Sequence, residues 1–118
     1  MLLIPNLRGV LLAIIMTLIY MFYIAITEEF IFRGFLITAL NKSFGMHVSI
    51  IIAVFVFVFI GHLPKINHLF HHPPYIFHLF AFGLVLSYAY VLSESLWLSV
   101  GLHWGWNLGS FLEERMLL

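Results

Sequence analysis

Apolar residues fill the chain in long runs, and the few formal charges mark where those runs stop. Nothing formally charged lies between Arg8 and Glu28, Lys42 and Lys65, Lys65 and Glu94, or Glu94 and Glu113. Each gap has room for a helix of about 20 residues, the length that crosses a hydrocarbon core of roughly 30 Å. Lipid offers the backbone no hydrogen-bond partners, so helices fill these gaps. This holds even for the strand-like, β-branched and aromatic stretch IIAVFVFVFI at 51–60. The pattern predicts an all-α integral membrane bundle of about four transmembrane helices. They run over roughly 10–40, 46–62, 75–92 and 95–113, within a single membrane domain, 1–118.

The breaks have ordinary turn chemistry. Asn41-Lys42-Ser43-Phe44-Gly45 supplies Asn and Gly as helix stops. Pro64, Pro73 and Pro74 break a polar loop over 63–74. Ser93-Glu94-Ser95 makes a short turn, with Ser93 the expected cap of the last helix. A continuous helix from 10 to 41 is roughly 46 Å long at about 1.5 Å per residue. One straight span needs less, so that helix must bend, tilt or protrude.

Composition narrows the class. Hydrophobic residues make up 64% of the chain and charged residues 8%. Ordinary globular chains carry roughly a quarter charged residues, so a soluble domain could not cover itself with so little charge. The formal net charge of zero argues against a nucleic-acid surface. With no cysteine, disulfides, cysteine-based zinc sites and a thiol nucleophile are excluded. The first apolar run follows one basic residue, Arg8, has no small-residue cleavage site and leads into further apolar runs. It reads as a retained membrane helix rather than a signal peptide.

The candidate chemistry lies in residues that lipid disfavours. A charge at the centre of a membrane helix costs at least about 2.5 kcal/mol, which makes it a functional candidate. Three clusters qualify: Glu28-Glu29-Phe30-Ile31-Phe32-Arg33, His62, and His103-Trp104-Gly105-Trp106-Asn107. Glu29 and Arg33, four apart, share a helix face and suit an ion pair, which leaves Glu28 about 100° away without an obvious partner. His103 and Asn107 also share a face. Gly101, Gly105 and Gly109 form a ridge roughly opposite and are expected to pack on a neighbouring helix. Counted from their nearest turns at about 1.5 Å per residue, Glu28, His62, His103 and Asn107 reach depths of roughly 14 to 24 Å. They therefore fall within about two helical turns of one another. A carboxylate, two imidazoles and an amide at one level can hydrolyse an amide bond, the carboxylate activating water and the other donors stabilising an oxyanion. Two histidines and a glutamate also form a zinc shell, so Glu28, His62 and His103 are the alternative set for a divalent metal. Neither an H-E-x-x-H motif nor a G-x-S-x-G elbow is present.

These motifs carry a resemblance. Glu28-Glu29-x-x-x-Arg33, a His after an apolar helix, and His103-x-x-x-Asn107 resemble the CPBP (CAAX protease and bacteriocin-processing, or Abi) family of intramembrane proteases. The likeness covers about 27–111, and EEFIFRGFL and LHWGWN are its most specific stretches. The middle motif is weaker, with Val58 where the family usually has Phe. The resemblance implies that Glu28 activates water, His62 holds and polarises it, and His103 with Asn107 forms the oxyanion site. Glu29 and Arg33 support them. It further implies a glutamate-type protease with no obligatory metal, acting on a peptide or lipidated protein tail in membrane lipid, with the bacterial plasma membrane the expected location. Family members usually carry more helices before the first motif, so the chain reads as a minimal member, a fragment, or a protein that takes extra helices from a partner or pairs with a second copy.

Other polar residues have plainer readings. His68, His71 and His72, with His78 nearby, read as an interfacial loop rather than a metal site. Trp97, Trp104 and Trp106 read as interfacial or packing residues, and Glu113, Glu114 and Arg115 as a solvated helix end. Two functions from other classes compete. One is a small four-helix proton-coupled multidrug exporter, which needs a membrane Glu but no His–Asn pair. The other is a catalytically silent bacteriocin-immunity or scaffold protein on the same fold.

Overall fold

The structure is a computed structural model that describes residues 6–116; the side chains of 114–116, including the expected solvated Glu114 and Arg115, lie outside the described residues. Every described element is a helix. The first, α1 (Leu7–Glu29), is capped by Asn6, whose side chain accepts the Arg8 N–H at 3.1 Å. It runs straight on into a π-helical segment, Phe30–Ile37, and then α2 (Thr38–Phe44). Leu7–Phe44 is thus one helical rod of 38 residues. At about 1.5 Å per residue it is roughly 55 Å long, well beyond a hydrocarbon core of about 30 Å. Within this over-long rod the π-helical segment breaks the regular α-helical geometry. Such segments are rare and often mark functional sites. This one begins directly after the Glu28-Glu29 pair and contains Arg33.

Gly45, at φ +79, ends the rod in a backbone conformation that favours glycine. Helix α3 (Met46–Phe59) follows, so the strand-like run is helical, as lipid physics requires. The expected loop over 63–74 is instead a 3₁₀ turn, Leu63–Lys65, and a short helix α4 (Ile66–His71), bent 58° from α3. The prolines explain the difference. Pro64 sits in the 3₁₀ turn, and Pro73 and Pro74 occupy the start of α5 (Pro73–Ser93), where a missing N–H costs nothing. They begin helices rather than interrupt them. Glu94 ends α5 in the left-handed conformation, φ 56. Helix α6 (Leu96–Met116) is capped by Ser95, whose Oγ accepts the Trp97 N–H at 3.2 Å. Ser93, the expected cap, accepts the Ser95 N–H within the turn instead, also at 3.2 Å.

Two described helical stretches, Leu7–Phe44 and Pro73–Ser93, are long and apolar enough to cross a membrane, three if the bent α3–α4 pair counts as one span. Helix α6 is as long as α5, but its polar residues, His103, Asn107 and Glu113 among them, take it below that level of apolarity.

The rod packs chiefly on α6, α3 packs on α5 and on the π-helical segment, and α5 bridges to α6. The core lies between α3 and α5, around Ile50, Val54, Phe57 and Leu79. Val58, where the sequence departs from the resembling family, is fully buried. Helix α6 turns Leu96, Ser99, Val100, His103 and Asn107 inward as one helical stripe; Ser99, Val100 and His103 are buried, and Gly34 of the rod faces Leu96. Trp104 fixes α6 to α1, its indole N–H donating to the Leu18 carbonyl at 3.1 Å.

The expected glycine ridge does not do this packing. A Cβ added to Gly101, Gly105 or Gly109 meets nothing within 4 Å. The reason is positional: α1 and α5 flank the inward stripe of α6, and no described helix covers the opposite face. The close approach is at Gly83 on α5, where an added Cβ would come 3.3 Å from Val54 and 3.4 Å from Phe57 of α3. We therefore expect Gly83→Leu to lose about 1–3 kcal/mol or more by overpacking, and Gly105→Leu to melt like the parent in detergent. The reverse order of melting temperatures would refute this packing.

Candidate active site

The first cluster lies where α1 meets the π-helical segment. Glu29 is fully buried, with Oε1 3.2 Å from Nη1 of Arg33 one turn on. The same oxygen lies 2.6 Å from Nδ1 of His103, 74 positions away in sequence. Arg33 is itself buried, donates from Nη2 to the Gly83 carbonyl at 3.3 Å, and lies 4.5 Å over the Phe57 ring. The ion pair is close, but its angle is too bent for a hydrogen bond at Nη1. One carboxylate thus joins the rod to α6 and, through Arg33, to α5. Removing one member of such a buried pair leaves an uncompensated charge, a loss of about 3–5 kcal/mol.

Glu28 is differently placed. Its side chain keeps 35% of its surface, against none for Glu29, and it faces a cavity of about 400 Å³. The sequence left it without a partner; in the structure its Oε2 lies 3.4 Å from Nε2 of His103. His103 therefore stands between the two glutamates, one on each ring nitrogen. With Glu29 accepting from Nδ1–H, Nε2 is the nitrogen turned to the cavity. It donates to an oxyanion only in the doubly protonated ring.

His62 lies in the turn after α3 and lines the same cavity. Its Nδ1 is 2.9 Å from the Phe57 carbonyl, which can only accept, so Nδ1 carries a proton and, in the neutral ring, Nε2 is the acceptor. Gly61 permits this. A Cβ there would fall 2.5 Å from the Phe57 carbonyl oxygen. Phe57 ties the parts together, its ring lying edge-on to those of His62 at 5.0 Å and His103 at 6.3 Å. Asn107, one turn beyond His103, also lines the cavity, and its amide makes no hydrogen bond among the described residues. All four residues singled out by depth, from three separate segments, therefore meet one cavity. An acceptor carboxylate, an acceptor imidazole, a ring nitrogen and a free amide border one space that admits water.

Glu28, His62 and His103, the alternative metal set, all line the one cavity. Among the described residues no group of three His or carboxylate side chains is gathered to hold a metal ion. The same holds for His68, His71 and His72. His68 and His72 stack at 4.1 Å, and His71 and His72 donate to backbone carbonyls of α4.

Among the polar residues of the cavity, sequence reasoning missed Tyr20, Lys65, Tyr75, His78 and Ser110. Ser110 had a usable signal, lying seven residues after His103 on the same face. Lys65 fell in the stretch read as a loop, and His78, just inside the expected third span, was read with the interfacial histidines. His78 packs its ring 4.7 Å from Trp106.

The sequence profile described as "Type II CAAX prenyl endopeptidase Rce1-like" matches residues 10–109. The chain belongs to this family. It is accordingly an integral membrane protein with an intramembrane-endopeptidase kind of function, within the wider CPBP grouping that its motifs resemble. No curated protein and no solved structure matches it. The matched region takes in both glutamates, the cavity histidines His62, His78 and His103, and Asn107.

The two glutamates are expected to respond differently to mutation. Glu29→Gln removes the charge that pairs with Arg33 and weakens the bond from His103, and should lose roughly 3–5 kcal/mol. Glu28→Gln should melt close to the parent. Equal losses in thermal melts of the two variants would contradict the division.

Proposed function

We propose that the chain is a glutamate-type intramembrane endopeptidase that hydrolyses a peptide bond in a membrane-associated or lipidated peptide without an obligatory metal. The observation that carries this reading is His103 held by Glu29 at 2.6 Å while its other nitrogen faces Glu28 at 3.4 Å in the cavity shared with His62 and Asn107. That arrangement separates a buried positioning carboxylate from a solvent-reached carboxylate that can take a proton.

In the proposed reaction a water lies between Glu28 and the bare Nε2 of His62. Glu28 takes one of its protons as the oxygen attacks the scissile carbonyl carbon. The carbonyl π electrons move to oxygen, and the oxyanion meets the Asn107 amide and protonated Nε2 of His103. On collapse the C–N bond breaks, and the proton held by Glu28 goes to the leaving amine. Glu29 keeps the His103 ring in place, much as a buried carboxylate orients a catalytic imidazole elsewhere.

The family description supports prenylated CaaX tails as the substrate class. The exposed rings at the cavity, Tyr20 of the rod and Trp106 of α6, favour a substrate that arrives through lipid. The direct test is cleavage of a farnesylated CaaX peptide by the full chain in nanodiscs, with and without a chelator. We expect cleavage unaffected by chelation, abolished in Glu28→Gln, and slowed roughly 10²–10³-fold in Asn107→Ala. Undiminished cleavage by Glu28→Gln, or loss on chelation restored by zinc, would overturn the mechanism.

A further inference from the structure

No side chain of α4 lines the cavity, yet this short helix is sharply two-sided. On one side Leu69 is fully buried, Ile66 packs on the core and Phe70 stacks with Phe59 at 6.2 Å. The other side carries Asn67 with His71 and, next to them, His68 with His72; each pair is four apart, and all four residues are exposed. The charge around it is of one sign. The stretch 61–78 holds His62, Lys65, His68, His71, His72 and His78, whereas no Asp or Glu occurs between Glu29 and Glu94. The position in depth follows from α5, which starts just after α4. Its 21 residues at about 1.5 Å each cover roughly 30 Å, one hydrocarbon core. Helix α4, bent 58° from α3, therefore lies at a membrane face. Leu63 and Phe70 remain exposed beside the histidines, as in a helix that rests in the headgroup layer with apolar side chains below and basic ones above.

We infer that the histidine side of α4 is a binding surface for the phosphate headgroups of anionic phospholipids, engaged more strongly as the pH falls. The rings are held ready as donors. Nδ1 of His71 donates to the Asn67 carbonyl at 2.6 Å, and Nδ1 of His72 to the His68 carbonyl at 3.0 Å, so Nε2 is the nitrogen each ring keeps for a ligand. In the neutral ring that nitrogen only accepts. A second proton makes it a charged donor, which suits a phosphate oxygen. His68 and His72 also stack at 4.1 Å, with 26° between their planes. Charge on both rings at that distance is repulsive, and an anion beside them offsets it, so proton uptake and phosphate binding assist each other. Helix α4 packs on α5 and on the 3₁₀ turn. The titratable groups there are Lys65, Tyr75 and His78; Tyr75 meets His68 edge-on at 5.4 Å and stacks with His78 at 6.1 Å. None of them is acidic. The cavity carboxylate, Glu28, is engaged with His103 at 3.4 Å. A lipid phosphate is thus the anion that the place and the charge of this surface both fit, and the surface is independent of the peptidase reading.

The test uses the full chain in phosphatidylcholine vesicles doped with spin-labelled phosphatidylglycerol or spin-labelled phosphatidylcholine. The motionally restricted part of the electron spin resonance signal reads how strongly the protein prefers the anionic headgroup. That preference should rise roughly fivefold between about pH 7.5 and about pH 5.5, the range in which imidazoles gain charge and the size expected for one added cation at an anionic surface. The combined variant His68→Gln, His71→Gln and His72→Gln should lose the rise. The combined variant His68→Lys, His71→Lys and His72→Lys should show a strong preference at both pH values, because lysine stays charged throughout. All three positions are exposed, so both variants should melt like the parent; if one of them does not, the other still decides. A rise of full size in the glutamine variant would overturn the inference, and so would a lysine variant with no preference for the anionic lipid. Loss of the preference on adding inorganic phosphate to an otherwise unchanged sample, at constant ionic strength, would overturn it too, because the surface would then be a site for the free ion.

Discussion

One carboxylate holds this structure together. Glu29 is wholly buried, and through one oxygen it meets Arg33 on its own rod and His103 on α6. In lipid neither charge can stand alone, so each must find the other. The pairing requires the rod, α5 and α6 to converge at one level, because Arg33 also donates to Gly83 of α5. The π-helical segment begins immediately after Glu29 and carries Arg33 on its first turn. Widening the helix at this point puts both members of an adjacent Glu pair to use, Glu29 inward and Glu28 to the cavity.

The chemistry is a consequence of that division. Two identical side chains, neighbours in sequence, differ because one is sealed and the other keeps a third of its surface. In the proposed mechanism the sealed one positions an imidazole, and the other exchanges protons with water. His62 is placed by an independent device, a bond to the Phe57 carbonyl that glycine at 61 makes room for. Phe57 then contacts both histidines and lies beneath Arg33, so one buried ring keeps three polar side chains in register.

Much of this was legible in the sequence because the lipid narrows the choices. Long uncharged runs had to be helices, which overrode the β propensity of 51–60, and the depth count brought Glu28, His62, His103 and Asn107 to one level. The i, i+4 spacing gave the Glu29–Arg33 pair. The bond from Glu29 to His103 was not legible, since it joins residues 74 apart and depends on how α6 is rotated. That rotation also explains the glycines. A ridge of small residues announces a face able to pack, but whether a helix covers it depends on topology, and here the covered face is the polar one. The prolines misled for a related reason: their effect depends on whether they fall inside a helix or at its first turn.

The central claim is that Glu29 acts through His103. A double-mutant cycle of Glu29→Gln and His103→Ala, read by thermal stability and by peptide cleavage in the same preparations, measures that link. If the account holds, the second substitution costs little once the first is made, with a coupling of about 0.5–3 kcal/mol in stability and non-additive losses in rate. Fully additive effects in both readouts would mean that the two residues act independently, and the account would fail.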